Sequence, residues 1–251
     1  MSSTHLFVLT GASRGMGLAM ARQLLQAEHT LLCISRHAST DLAARARANG
    51  ATLEQWPLDL AHSDEAATRL RQWLGRADAP YASATLINNA GVIPAIGPLS
   101  ALRAADIAHA LRVDLEAPLA LSAAFLAATA GWGVPRKVLN ISSGLGRRPM
   151  ASQAVYCAAK AGLDHATRCL ALEEALKPEG ARVCSLAPGV IDTDMQVQLR
   201  GADAAAFPDR GRFEQLKHGG QLDSPEAAAR KVLAFLARPD FGTEAVADVR
   251  G

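Results

Sequence analysis

Short apolar runs alternate with helix-patterned stretches along almost the whole chain, and that alternation constrains the fold more than any other feature. The runs expected to form strands are Leu6–Thr10, Thr30–Ser35, Thr52–Pro57, Ala84–Asn88, Lys137–Ser142 and Ala181–Ala187, with a short last one near Ala245–Ala247. Helices are expected at Gly15–Gln26, Asp41–Asn49, Ser63–Leu74, Ile107–Thr129, Gln153–Lys177 and Pro225–Ala237. Apolar strands each followed by a helix imply βαβ units with right-handed crossovers and a parallel sheet. Leu6-Phe-Val-Leu9 and Thr30-Leu-Leu-Cys-Ile34 are apolar on both alternating faces, as required when helices cover both sides of a sheet. The expected architecture is α/β: a doubly wound parallel sheet of about seven strands with helices on both faces. No linker, low-complexity tract or repeat divides the 251 residues, so a single domain over 1–251 is expected.

One region breaks the rhythm. Residues 193–223 carry Gly201, Pro208, Gly211 and Gly219-Gly220 and read as a long irregular loop after the sixth strand. Loops of that length are usually functional, and this one follows a strand at the edge where doubly wound sheets bind ligands.

The composition excludes several classes. The formal charge is +2 with no basic block, which gives a nucleic-acid partner little support because phosphate-driven binding needs clustered Lys and Arg. Cys33, Cys157, Cys169 and Cys184 show no C-x-x-C spacing and no nearby histidines in a zinc pattern, so no metal site is expected. They read as small buried residues or free thiols of a reducing compartment. The first strand begins almost at the N-terminus, and no apolar run approaches membrane-spanning length. A soluble, cytoplasmic protein with no membrane partner is expected.

The end of the first strand carries Thr10-Gly-Ala-Ser-Arg-Gly-Met-Gly17 and then opens a helix. Glycines let the backbone turn tightly and approach a pyrophosphate, and a helix N-terminus offers unpaired N–H groups and a positive dipole end. Gly11, Ser13, Arg14, Gly15, Met16 and Gly17 are therefore candidates for a dinucleotide site. The spacing is G-x-x-x-G-x-G rather than G-x-G-x-x-G. An acid ending the second strand would bind the ribose 2′-hydroxyl of NAD, but this chain has Ser35-Arg36 there, with Arg14 in the glycine loop. Two guanidinium groups and a hydroxyl suit the 2′-phosphate of NADP.

Asp59 and Leu60 follow the third strand, where Asp59 could touch an adenine edge or cap the next helix, a role Ser63 fits better. Asn88-Asn89-Ala90-Gly91 closes the fourth strand, and its small residues leave room for a cofactor ribose.

Tyr156 and Lys160 are spaced to share one face of a helix, and Ser143 stands thirteen positions before the tyrosine. A phenol holds its proton until pH ~10, so it needs a nearby positive charge to work near neutrality. With a serine hydroxyl alongside, the trio suits proton transfer to or from a carbonyl or alcohol.

With these pieces in order, the chain resembles the short-chain dehydrogenase/reductase family. The resemblance spans nearly the whole length and rests on T-G-A-S-R-G-M-G at 10–17, N-N-A-G at 88–91, Ser143 with Y-C-A-A-K at 156–160, and A-P-G-V-I-D-T at 187–193. It implies one Rossmann-like domain, a nicotinamide cofactor and a homodimer or homotetramer. It also implies that Tyr156 is the general acid in reduction, that Lys160 lowers its pKa and holds the nicotinamide ribose, and that Ser143 positions the carbonyl oxygen. Pro188, Gly189, Ile191 and Thr193 would line the nicotinamide. Ser142 is the neighbour of Ser143, but strand alternation puts the two on opposite faces.

One departure stands out. Where the family usually has asparagine in the long central helix, serving a water-linked proton relay to the lysine, this chain reads Val113-Asp114-Leu115. A buried carboxylate near Lys160 could pair with it and alter the tyrosine. A narrower likeness, through Asp192-Thr-Asp-Met-Gln196, Phe213…Leu222 and the ending Phe241…Asp248, is to the sepiapterin reductase and benzil reductase branch. There a C-terminal aspartate anchors the pterin, and Asp248 falls at that place, although a structural carboxylate is the competing role. The resulting expectation is an NADP(H)-dependent reductase of a small-molecule carbonyl. A non-catalytic nucleotide-binding regulator and an NAD-dependent alcohol dehydrogenase of the same fold are the alternatives.

Overall fold

The computed structural model describes residues 4–76 and 81–250. Seven parallel strands, β1 (His5–Thr10), β2 (His29–Ser35), β3 (Thr52–Pro57), β4 (Ser83–Asn88), β5 (Arg136–Ile141), β6 (Arg182–Ala187) and β7 (Val246–Asp248), form one sheet in the order β3-β2-β1-β4-β5-β6-β7. The strand order reverses between β1 and β4, so a crevice opens beyond their C-terminal ends.

Alternation along the strands builds a core on each face. Leu9, Leu31, Cys33, Ile87, Leu139 and Cys184 point to the face covered by α1 (Gly15–Leu24), α2 (Thr40–Asn49) and α9 (Pro225–Ala237). Leu6, Val8, Leu32, Leu86 and Val138 point to the opposite face, against Leu70 and Leu74 of α3 (Ser63–Leu74) and Leu121 and Phe125 of α5 (Ala117–Thr129). The double-sided hydrophobicity of the strands is thus the signature of a sheet buried on both faces.

The stretch expected as one helix over 107–129 differs in detail. It comprises α4 (Ala104–Leu111), a π-helical turn (Arg112–Glu116) and α5. Pro118 explains the turn: it has no N–H to give the Asp114 carbonyl four residues back, and its ring would crowd that oxygen. The helix widens instead, with the Ala117 N–H reaching the Arg112 carbonyl five residues back.

The stretch 193–223 is also more ordered than expected. It contains α7 (Asp194–Arg200) and α8 (Arg210–His218) around a small core of Leu199, Phe207 and Phe213. Its glycines and proline punctuate helices: Gly201 ends α7, Pro208 precedes α8, and Gly219 and Gly220 (φ 63°) close it.

Ser63 does not cap α3. It lies within the first turn, buried, and its hydroxyl donates to Glu116 Oε1 at 2.5 Å. Among the described residues, no helix is long and apolar enough to cross a membrane.

Candidate active site

A cleft of about 710 Å³ runs along the C-terminal ends of the strands. It is lined at one end by the glycine loop and the ends of β2 and β3, and at the other by the loops after β4, β5 and β6 with α7 and α8.

The glycine loop is shaped for close backbone approach. Gly11 (φ 71°) and Gly15 (φ 55°) adopt left-handed conformations. A Cβ on Gly17 would meet the Gly11 carbonyl oxygen at 2.0 Å, and one on Gly11 would meet Ala90 Cα at 2.8 Å. Asn89 locks this loop to β4, donating from Nδ2 to the Thr10 carbonyl at 3.0 Å, while Thr10 Oγ1 accepts from the Asn89 and Ala90 N–H groups.

The N-terminus of α1 has no side-chain cap and no acid in its first turn. Its first N–H groups face the cleft without a partner side chain, which fits an anionic pyrophosphate. The residues present therefore fit a dinucleotide.

At the end of the cleft beside β2 and β3 lie Ser35, Arg36, Asp59 and Leu60. Ser35 Oγ donates to the His37 carbonyl, and Asp59 Oδ1 accepts from the Ala61 N–H at 2.9 Å. Arg36 is exposed and forms no ion pair among the described residues. Arg14 is engaged with Asp194 of α7 at 2.9 Å, a pair joining the glycine loop to the far wall of the cleft. Both partners are well exposed, so the pair contributes at most about 1 kcal/mol and opens readily.

Ser143, Tyr156 and Lys160 converge at the other end. Ser143 stands two residues past β5, at the start of a short turn, and accepts from the Leu145 N–H at 3.2 Å. Tyr156 and Lys160 share one face of α6 (Ala154–Ala175). The ammonium of Lys160, a residue only 4% exposed, donates to the Ile141 carbonyl at 3.1 Å and stands 5.7 Å from the Tyr156 ring centroid. A Cβ on Gly146 would lie 3.0 Å from the Lys160 carbonyl, so that glycine lets the turn after β5 pack directly on α6.

Desolvation raises the Tyr156 phenol above its ordinary pKa. The Lys160 charge and a Ser143 hydrogen bond pull it back down, and the Asp114 charge adds to the rise. Lys160 therefore acts in the expected direction but is outweighed by burial.

Asp114 is fully buried within the π turn. Its Oδ1 accepts from the Val92 N–H at 2.8 Å, whereas Oδ2 is buried with no hydrogen-bond partner. Burial raises its pKa, opposed by the Lys160 charge, the Val92 N–H and His109. The space beside it is tight: a Cβ on Gly91 would stand 3.2 Å from Asp114 Oδ1 and 3.7 Å from Lys160 Nζ.

Pro188, Gly189 (φ 87°), Ile191 and Thr193 line the same end of the cleft. Thr193 Oγ1 points back to the Ile191 carbonyl at 3.5 Å. Asp248 does not line this cleft; it sits in an adjoining chamber, where its carboxylate takes a two-point contact from Arg250. That contact holds its carboxyl below the usual range.

Sequence reasoning passed over several cleft residues. Gln153 is 2% exposed, lines the cleft one turn before Tyr156, and has both amide atoms without partners. Its three-residue spacing from Tyr156 was the available signal. Met195 and Gln196 come from α7, which the sequence did not mark as a helix. Ser152 adopts a left-handed conformation (φ 63°), and its hydroxyl donates to the Ala206 carbonyl in the α7–α8 connection.

The chain belongs to the short-chain dehydrogenase family, whose model matches residues 5–204. It is similar to the benzil reductase ((S)-benzoin forming) of Bacillus cereus, with 33% identity over 235 residues covering 93% of this chain and 94% of that protein. It is also similar to the sepiapterin reductase of Bos taurus, 32% identical over 97% of this chain and 93% of that protein. A crystal structure of a short-chain dehydrogenase/reductase from Burkholderia vietnamiensis superposes with a TM-score of 0.67 at 34% identity, covering 100% of this chain and 99% of that one. The protein is thus an oxidoreductase of a fold that binds nicotinamide cofactors.

Proposed function

We propose that the protein is an NADP(H)-dependent carbonyl reductase that converts a ketone or diketone to an alcohol. The observation that carries this reading is the convergence of Ser143, Tyr156 and Lys160 in the cleft that begins at the glycine loop. The likeness to benzil and sepiapterin reductases supports the direction of reduction.

A bound dihydronicotinamide supplies the hydride. Tyr156 donates its phenolic proton to the carbonyl oxygen, and Ser143 Oγ donates a second hydrogen bond to the same oxygen, stabilising the developing alkoxide. Lys160 holds its charge beside the phenolate left behind. Gly11 to Gly17 would hold the pyrophosphate on the uncapped start of α1. Pro188, Gly189, Ile191 and Thr193 would flank the nicotinamide, and Asp59, Leu60, Asn89, Ala90 and Gly91 the adenosine and ribose groups.

NADP is favoured over NAD because Arg36, which forms no ion pair among the described residues, stands where an acid would stand in an NAD enzyme. Arg14, paired with Asp194, contributes less.

The test is oxidation of NADPH, followed by its absorbance, with benzil and sepiapterin as substrates. Tyr156→Phe is expected to lower kcat by at least about a hundredfold while cofactor binding is retained, since general acid catalysis contributes about 10²–10⁴-fold. A variant that turns over at the wild-type rate overturns the assignment.

A further inference from the structure

The substrate end of the cleft opens into a second chamber of about 350 Å³ between the turn after β5, the end of β7 and α8. Four guanidinium groups line it: Arg147, Arg148, Arg212 and Arg250. Two are neutralised. Arg147 donates to Asp164 at 3.2 Å, and Arg250 closes on Asp248 at 2.8 and 2.7 Å. Arg148 and Arg212 are exposed and form no ion pair among the described residues. Both also line the catalytic cleft.

Arg148 lies close to the reacting position. A Cβ on Gly144 would stand 3.1 Å from Arg148 Nη2, and Gly144 directly follows Ser143 in the chain. One unpaired guanidinium thus reaches the backbone beside the serine, and a second faces the same chamber from α8.

Asp248 decides what the chamber can recognise. A pterin presents an amino-pyrimidinone edge whose N–H donors need a carboxylate acceptor. Here Arg250 already engages both carboxylate oxygens of Asp248, and the charged groups around the chamber that form no ion pair among the described residues are cationic donors. Guanidinium donors match a carboxylate or another oxyanion, in two-point contacts where geometry allows.

We infer that this chamber binds an anionic group of the substrate, so that the enzyme acts on carbonyl compounds bearing a carboxylate or similar oxyanion, held by Arg148 and Arg212. The inference rests on the carbonyl-reductase reading above and names the substrate class for that site.

The test compares benzil with its para-carboxylated analogue, which share a reacting diketone and differ in one charge. With wild-type enzyme at low salt, the carboxylated compound is expected to reach half-saturation at a concentration about tenfold lower, with similar kcat, the scale of two partly exposed charge pairs. In the R148Q/R212Q double variant that preference, read as the ratio of the two half-saturation concentrations, is expected to vanish. Added sodium sulfate should weaken saturation by the carboxylated compound selectively.

Equal half-saturation in the wild type, a preference that survives in the double variant, or sulfate inhibition that treats the two substrates alike would each overturn the inference. If neither compound consumes NADPH, the carbonyl-reductase reading fails separately. Calorimetric titration of the two compounds into wild type and double variant then decides the chamber by itself: charge-dependent binding lost in the variant supports it, and equal binding overturns it.

Discussion

Asp114→Asn isolates one charge in the site. Asparagine keeps an oxygen for the Val92 N–H and removes the carboxylate charge beside Lys160. Asp114 Oδ1 and Lys160 Nζ both stand within 3.7 Å of where a Cβ on Gly91 would lie. They are therefore no more than about 7 Å apart, which at an effective dielectric of ~20 is an attraction of about 2 kcal/mol. The same ammonium nitrogen is 5.7 Å from the Tyr156 ring centroid. The Asp114 charge also acts on Tyr156, where it disfavours the phenolate.

The sign follows from the causes acting on the tyrosine. The Asp114 charge raises the Tyr156 pKa, so its removal favours the phenolate. Carbonyl reduction needs the protonated phenol, so its alkaline limb should move to lower pH in the variant. Alcohol oxidation needs the phenolate, so its rising limb should move the same way. The assay is kcat/KM against pH in both directions, with tyrosinate absorbance in a Tyr81→Phe background, where Tyr156 is the sole remaining tyrosine. Superimposable profiles for wild type and variant would refute the reasoning, because they would mean that Asp114 is uncharged throughout the working range. Stability provides a second check. Burial raises the Asp114 pKa above its unfolded value, so the ionised native state is penalised at neutral pH. The variant should melt higher than the wild type at neutral pH, and the gap should close as pH falls below about 4.

Two further outcomes are expected. Arg36→Asp should shift the kcat/KM ratio of NADPH to NADH toward NADH by roughly ten- to a hundredfold, the scale of a lost charged hydrogen bond of about 1.5–3 kcal/mol; an unaltered ratio would count against the 2′-phosphate contact. The long helices α5 and α6 are the expected surface for the homo-oligomer, and Leu119 and Leu172 are exposed on them, at 42% and 72%. Light scattering after gel filtration should give at least a dimer, and Leu119→Asp with Leu172→Asp should reduce it; a monomeric wild type contradicts the expectation.

The sheet was legible because its code is local and redundant. Strands buried on both faces are largely apolar on both, and glycines that approach backbone cannot be replaced without overlaps such as the 2.0 Å contact at Gly17. The spacing of Tyr156 from Lys160 was readable for the same reason, being set by one turn of helix. Features that depend on distant partners were not. That Asp248 is closed by Arg250 depends on the path of the last few residues, and that Arg148 and Arg212 face one chamber depends on how α8 folds back over the turn after β5. The glycines and proline of 193–223 were read as irregularity, yet there they bound helices. Pro118 held a signal that went unused: a proline inside a helical pattern marks a missing hydrogen bond four residues back, at Asp114.

The Ser152–Ala206 contact joins parts of the protein that would otherwise be separate. Ser152 stands just before the first turn of α6, which carries Tyr156, and Ala206 belongs to the segment between the two helices that wall the substrate end. Ser152 also keeps a backbone conformation that L side chains rarely adopt. Re-cutting the α7–α8 segment therefore pulls on the start of the helix that carries the proposed proton donor. Changes to the α7–α8 segment are expected to reach the start of α6 through residue 152.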